Sequence, residues 1–234
     1  MTSNKKTARF AGALYLALIL LGIFSLAYVP SKLIVWDDAA TTVGNIMASQ
    51  LLFRLGIVSG IACYTVFLFL PLVLYKLLRQ VDTTMATLMV ILAVVSVPIS
   101  LLNIQAKLDV LSLLSGASYL IPIETEQMQA QVMLALSSYN NGLRIVQVFW
   151  GLWLFPFGYL VFKSQFLPKI LGIFLMAGCF GYLINFFGNS LWPNYREIGI
   201  STMIGLPATI GEFGACLWLL IMGAKETPVV SKDE

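Results

Sequence analysis

The sequence predicts an all-α membrane bundle, six transmembrane helices in a single domain over residues 1–234, with both termini in the cytoplasm. Three observations predict it. Hydrophobic residues make up 59% of the chain and charged residues 11%, where a soluble domain carries roughly 25% charged residues. Apolar runs recur at the length needed to cross a bilayer, about 20 residues at about 1.5 Å each for a core of about 30 Å. Lys and Arg cluster on every second connection between those runs, the signature of cytoplasmic loops.

The first run covers 10–29 and follows Lys5, Lys6 and Arg9. Ser25 and Ala27 mimic a signal cleavage site, but the run is longer than a signal core of about 7–15 residues, so it reads as a span. The second covers 51–75 and ends at Lys76 and Arg79. The third covers 84–106 and contains Pro98, which a membrane helix tolerates when neighbours satisfy the freed carbonyl. The fourth covers 139–162. The fifth covers 168–190 and opens on Pro168, a favoured first-turn residue. The sixth covers 200–224, and 225–234 reads as a flexible cytoplasmic tail.

Two longer connections fall on the same side. In the first, Asp37 or Asp38 caps a short helix, and Val43, Ile46, Met47 and Gln50 share a face that suits a membrane surface. In the second, Pro122 precedes "ETEQMQAQVMLALSS", with Thr125 as a cap. Both 39–50 and 126–138 are expected to be surface helices forming a partial lid. The remaining basic residues, Lys163, Lys169, Lys225 and Lys232, fall on the cytoplasmic side, against Lys32, Arg196 and Lys107 on the other. Trp36, Trp192 and Tyr195 stand at an outer aromatic belt. "ARFAGALYLA" from residue 8 echoes "PKILGIFLMA" from residue 168, a likeness that the small alphabet shared by membrane helices also produces.

Composition excludes several functions. The net charge is +3, and its Lys and Arg are dispersed, so nucleic acid is not a partner. There is no histidine, which removes the usual general base, the commonest metal ligand and axial haem ligation. Cys63, Cys179 and Cys216 lie deep in apolar runs without metal-ligand spacing. No cofactor and no metal site is predicted.

Polar residues inside the spans do not scatter. Ser96, Ser100, Asn103 and Lys107 share one face of the third helix. Asn140, Arg144 and Gln147 do so in the fourth, Tyr182, Asn185 and Asn189 in the fifth, and Thr209, Glu212 and Cys216 in the sixth. Arg54 stands near the outer end of the second. Glu212 falls roughly 15–18 Å below the outer end of its helix. A charge at that depth costs about 2.5–3.5 kcal/mol on insertion scales, so it marks a candidate site. The candidate cluster is Glu212, Arg144, Arg54, Asn103, Lys107, Asn140, Gln147, Tyr182 and Asn185. The plainer reading is interhelical hydrogen bonding with snorkelling cations.

Several stretches resemble known membrane proteins: "ARFAGALYLALILLGIF", "NIMASQLLFRLG", "LVLYKLLR", "FWGLWLFPFGYLVFKSQFLPKILGIFLMAGCFGYLINFF" and "GEFGACLWLLIMGAK". In this order they resemble domain-of-unknown-function family 4386, and the run from Phe149 to Phe187 is the most specific. The resemblance implies a bacterial multi-span protein and brings no activity with it.

Three functions stay open. The first is a cell-membrane protein with an outward-facing polar cavity that binds a small or amphipathic ligand among membrane lipids. The second is a secondary transporter with Glu212 in its coupling path. The third is an intramembrane enzyme acting on a lipid-like substrate, with Glu212 as acid or base and Arg144 as clamp. No nucleophile elbow, phosphate loop or zinc helix accompanies them, so no catalytic residue is assigned.

Overall fold

The computed structural model describes residues 3–164, 166–195 and 197–224. The predicted tail 225–234, Gln165 and the loop cation Arg196 lie outside the described residues. Six helical stretches are long and apolar enough to cross a membrane: Asn4–Leu33, Gln50–Leu78, Thr83–Leu113, Thr125–Ser164, Lys169–Leu191 and Ile200–Ile221. All six predicted spans are therefore present, and no strand interrupts them among the described residues.

The helices are not uniform rods. α1 (Ser3–Ile23) passes through a π-helical turn, Phe24–Tyr28, into α2 (Val29–Leu33), which ends in extended backbone at Ile34. α3 (Ala39–Ala48) is the first connection's predicted helix, and Asp38 is its cap, accepting from the Thr41 amide at 2.8 Å and the Thr41 hydroxyl at 2.6 Å. Of the face expected to rest on the membrane surface, Val43 and Ile46 are instead buried within the protein, whereas Met47 is 60% exposed. α4 (Gln50–Leu78) contains Pro71. α5 (Thr83–Asn103) continues almost at once into α6 (Gln105–Leu113), so the third span runs seven residues past its predicted end at 106.

α7 (Thr125–Leu152) begins well before the predicted start at 139. The predicted surface helix 126–138 is the first half of this one continuous helix. The physical reason is local: no Gly or Pro occurs between Thr125 and Asn141, and Gln, Met, Ala and Leu dominate there, all good helix formers. α8 (Leu154–Ser164) follows after a break at Trp153. α9 (Lys169–Leu191) and α10 (Ile200–Ile221) complete the chain, with Gly199 left-handed at φ 70° before α10.

The residues group into two compact units. Among the described residues, the first lies within 1–16, 67–96 and 147–234, the second within 17–66 and 97–146. In the first unit, small residues bring helix backbones together, the packing that lipid-embedded helices favour. A Cβ at Gly158 would lie 2.6 Å from the Gly172 carbonyl oxygen, and one at Gly178 2.7 Å from the Ala208 Cα. Gly12, the glycine of the first echoed segment, abuts the backbone of Leu220; Gly172 is its counterpart in the second.

In the second unit, polar side chains reach neighbouring backbones. Ser25 donates to the Gly56 carbonyl at 2.8 Å, Ser59 to Leu21 at 3.0 Å, and the Cys63 thiol to Leu18 at 3.5 Å. The Thr42 hydroxyl donates to the Val35 carbonyl and accepts from the Val35 amide, both at 2.9 Å, closing the loop before α3.

Candidate functional site

Glu212 sits in the middle of α10, an otherwise uncharged helix, and is half-buried. Its described contacts are two phenols of its own unit. The Tyr15 hydroxyl, from α1, donates to a carboxyl oxygen at 3.2 Å. The Tyr182 hydroxyl, from α9, interacts with the same carboxyl. The sequence places Glu212 in one candidate cluster with Arg144 and Arg54, both of which fall in the other unit. Tyr15, which the sequence reading overlooks, supplies the described hydrogen bond.

The surroundings explain why these groups meet. Tyr15 is fully buried, and its ring packs at 6.3 Å from Trp153 and 6.5 Å from Phe157. Trp153 stacks on Phe157 with an interplanar angle of 7° and meets the edge of Phe67 at 5.1 Å. The break between α7 and α8 falls at Trp153, whose ring anchors this aromatic cluster. Gly151 leaves room for Tyr182, because a Cβ there would come within 2.6 Å of the tyrosine Cβ. One turn beyond Glu212, the Cys216 thiol donates to the Gly12 carbonyl at 3.7 Å and sets the register of α10 on α1. A half-buried carboxyl, two hydroxyls and an aromatic wall can hold a proton or an organic cation.

The other predicted polar residues separate into distinct roles. Asn185 is a structural tie: its amide donates to the Ser201 carbonyl at 3.0 Å, and its oxygen accepts from the Tyr195 hydroxyl at 2.8 Å. Asn103 is another, donating to the Tyr139 carbonyl at 2.9 Å, with Gly142 leaving space for its side chain. Arg54 is exposed on α4, the arrangement of a snorkelling cation. Asn140, Arg144 and Gln147 are half-buried.

Lys107 differs from all of these. It is only 4% exposed, and its ammonium lies 4.1 Å from the centre of the Tyr139 ring. Tyr139 in turn shares a hydroxyl–hydroxyl interaction with Tyr64. Tyr64, Tyr139 and Trp153 are further residues that sequence reasoning missed. The available signal was depth: Tyr and Trp favour the membrane interfaces, so those placed well inside a span call for a polar or packing reason.

The family model described as "Domain of unknown function (DUF4386)" matches residues 10–223. A protein of Archaeoglobus fulgidus, described only as uncharacterized, is 34% identical over 96 residues, which cover 41% of this chain. The match spans 55% of that relative's length, so the two are compared over little more than half of it. No solved structure matches the chain. With six membrane-spanning helices and a family match across nearly its whole length, this multi-pass protein belongs to the DUF4386 family.

Proposed function

We propose that this protein resides in the cell membrane with its termini inside, and that it binds a small amphipathic ligand through a basic group seated at Glu212. One observation carries the reading. The carboxyl lies within a spanning helix, and the partners described for it are phenol hydroxyls. An ionised carboxylate in a low-dielectric interior is costly unless a countercharge meets it. A proton or a ligand's ammonium meets that need. Trp153 and Tyr15 add aromatic surface suited to an organic cation.

The test compares a long-chain primary amine with the alcohol of equal length on purified protein in a neutral detergent. The amine should raise the melting temperature more than the alcohol does. Glu212→Gln should abolish that preference, and Tyr15→Phe should reduce it. Equal responses to amine and alcohol in the unsubstituted protein would sink the reading.

A second reading, a proton-coupled carrier, draws on the helix interruptions. The π-turn and the α5–α6 break converge at Gly60, where a Cβ would meet the Ser25 hydroxyl at 2.9 Å and Ile104 at 3.6 Å. Interrupted helices of this kind accompany transport sites. In liposomes, substrate-driven proton flux that Glu212→Gln abolishes would favour the carrier over simple binding.

A further inference from the structure

The third and fourth spanning stretches, Thr83–Leu113 and Thr125–Ser164, are 31 and 40 residues long. At about 1.5 Å per residue they reach roughly 45 and 60 Å, whereas a core of about 30 Å crossed at a tilt of about 40° needs only about 40 Å. The excess falls toward the connection between them, where Ser115, Ser118, Glu124, Glu126 and Gln127 are exposed. This end of the second unit therefore stands clear of the hydrocarbon. Apolar side chains are exposed on it all the same. A groove of about 270 Å³ lies where the end of α3, the end of α6 and the start of α7 come together, lined in part by Met47, Leu113, Leu120, Ile121, Ile123 and Met128. Met47 is 60% exposed and Ile121 79%. Lipid accounts for such exposure on a span but not beyond the hydrocarbon, where a contiguous apolar patch marks an interaction surface.

Charge defines the partner. Glu124 falls between the lining residues Ile123 and Thr125, and Glu126 follows. Asp109 stands one turn before Leu113 on α6, so the two share a face. All three acids are exposed. The segments 33–53 and 108–143 carry them together with Asp37 and Asp38, and neither segment contains a Lys or Arg. Such a surface repels an anionic membrane or an acidic partner and draws in one with several positive charges. The groove is smaller than small-molecule pockets of roughly 300–1,000 Å³. It suits the apolar anchors of a larger partner, the usual centre of a docking surface. We propose that this end of the second unit docks a basic amphipathic polypeptide segment, its apolar side chains in the groove and its Lys and Arg against Glu124, Glu126 and Asp109. That the docking occurs outside the cell rests on the orientation proposed above; the docking itself does not.

The experiment uses the full-length protein in neutral detergent, with binding to empty micelles subtracted. The probe is a synthetic amphipathic helix of Leu and Lys, labelled for fluorescence anisotropy and compared with the same helix carrying Glu for Lys. The Lys helix should bind about tenfold more tightly at low salt, and the preference should shrink as salt screens it. Glu124→Gln with Glu126→Gln should cut the preference about fivefold, the scale of two exposed ion pairs. Ile121→Ser should weaken binding of the Lys helix, and all these positions are exposed, so the variants should fold. Glu212→Gln should leave it unchanged, which separates this surface from the Glu212 site. A photoactivatable Leu in the probe should crosslink the unsubstituted protein at Met47 or within 113–128. Equal binding of the two helices, full retention in either variant, crosslinks confined to other segments, or displacement of the probe by dodecylamine at equal concentration would each overturn the proposal. Dimers that Ile121→Ser dissociates would assign the groove to a second copy of the chain and overturn it as well.

Discussion

Each unit of the molecule holds a side chain of charged type within a membrane span, Glu212 half-buried in the first and Lys107 buried in the second, and the two are supported by different means. The first unit holds Glu212 with phenol hydroxyls and packs its helices backbone to backbone through glycines. The second holds Lys107 on the face of an aromatic ring and ties its helices by side chains that reach carbonyls. Without a hydrophobic drive between helices in lipid, close packing and interhelical hydrogen bonds are the two means left. The first unit relies mainly on packing, the second mainly on bonds. The contrast implies that the first tolerates added volume poorly and the second tolerates lost polar atoms poorly.

The largest expected effect is all-or-none and concerns sidedness. The second unit carries the connection at 34–38 with α3, and the connection before α7. The first carries the connection at 79–82. Ala40→Cys and Gln127→Cys should react with an impermeant thiol reagent from outside intact cells, and Gln80→Cys should not. All three positions are exposed, and the native cysteines are buried. Labelling of Gln80→Cys alone would invert the orientation.

Next in size is the glycine contrast. Gly158→Leu in the first unit would drive a side chain into the Gly172 carbonyl and the Met176 amide, 2.6 and 2.8 Å from the Cβ position. Overpacking of this kind costs about 1–3 kcal/mol or more. Gly142→Ala in the second unit meets the movable Asn103 side chain. Its expected cost is about 0.6 kcal/mol, that of one interhelical bond. Melting curves in detergent measure both, and equal losses would erase the distinction between the units.

Tyr15 separates packing from bonding within the first unit. Tyr15→Ala removes a fully buried ring from Trp153 and Phe157, an expected loss of about 3–5 kcal/mol. Tyr15→Phe removes only the bond to Glu212, about 0.6 kcal/mol. Comparable losses for the two would mean that the hydroxyl, and not the ring, holds α1 to α10.

The smallest effect lies outside the spans. Hydrogen bonds from the Thr41 hydroxyl and then the Thr41 amide hold the Asp38 carboxyl below its ordinary value of 3.8. A group depressed in the folded state adds stability above its unfolded value, and that stability is lost as pH falls through the lower folded value. Protection of the α3 amides against hydrogen exchange should therefore be constant at neutral pH and fall below about pH 4. Asp38→Ala should remove that pH dependence. Persistence of the dependence in Asp38→Ala would assign it to another group.

The comparison also shows where the sequence is legible. Spans were legible because crossing hydrocarbon requires length and apolarity, and both are written in the linear chain. Asp38 as a cap was legible because a cap is a contact between near neighbours. The start of α7 at Thr125 was not, because a helix running out of the membrane changes polarity without changing backbone geometry. Glu212 stood out, since its cost in a span depends only on its own charge and depth. Its partners did not: Tyr15 is 197 residues away, and a tyrosine in an apolar run reads as one more ring. Lys107 read as a snorkelling cation, and only the arrangement of α4, α6 and α7 turns it into a buried one. The sequence by itself determined the number of spans, because each helix meets lipid on its own terms. Only the tertiary structure decided which polar groups face each other, because that depends on rotations of packed helices that no single helix encodes.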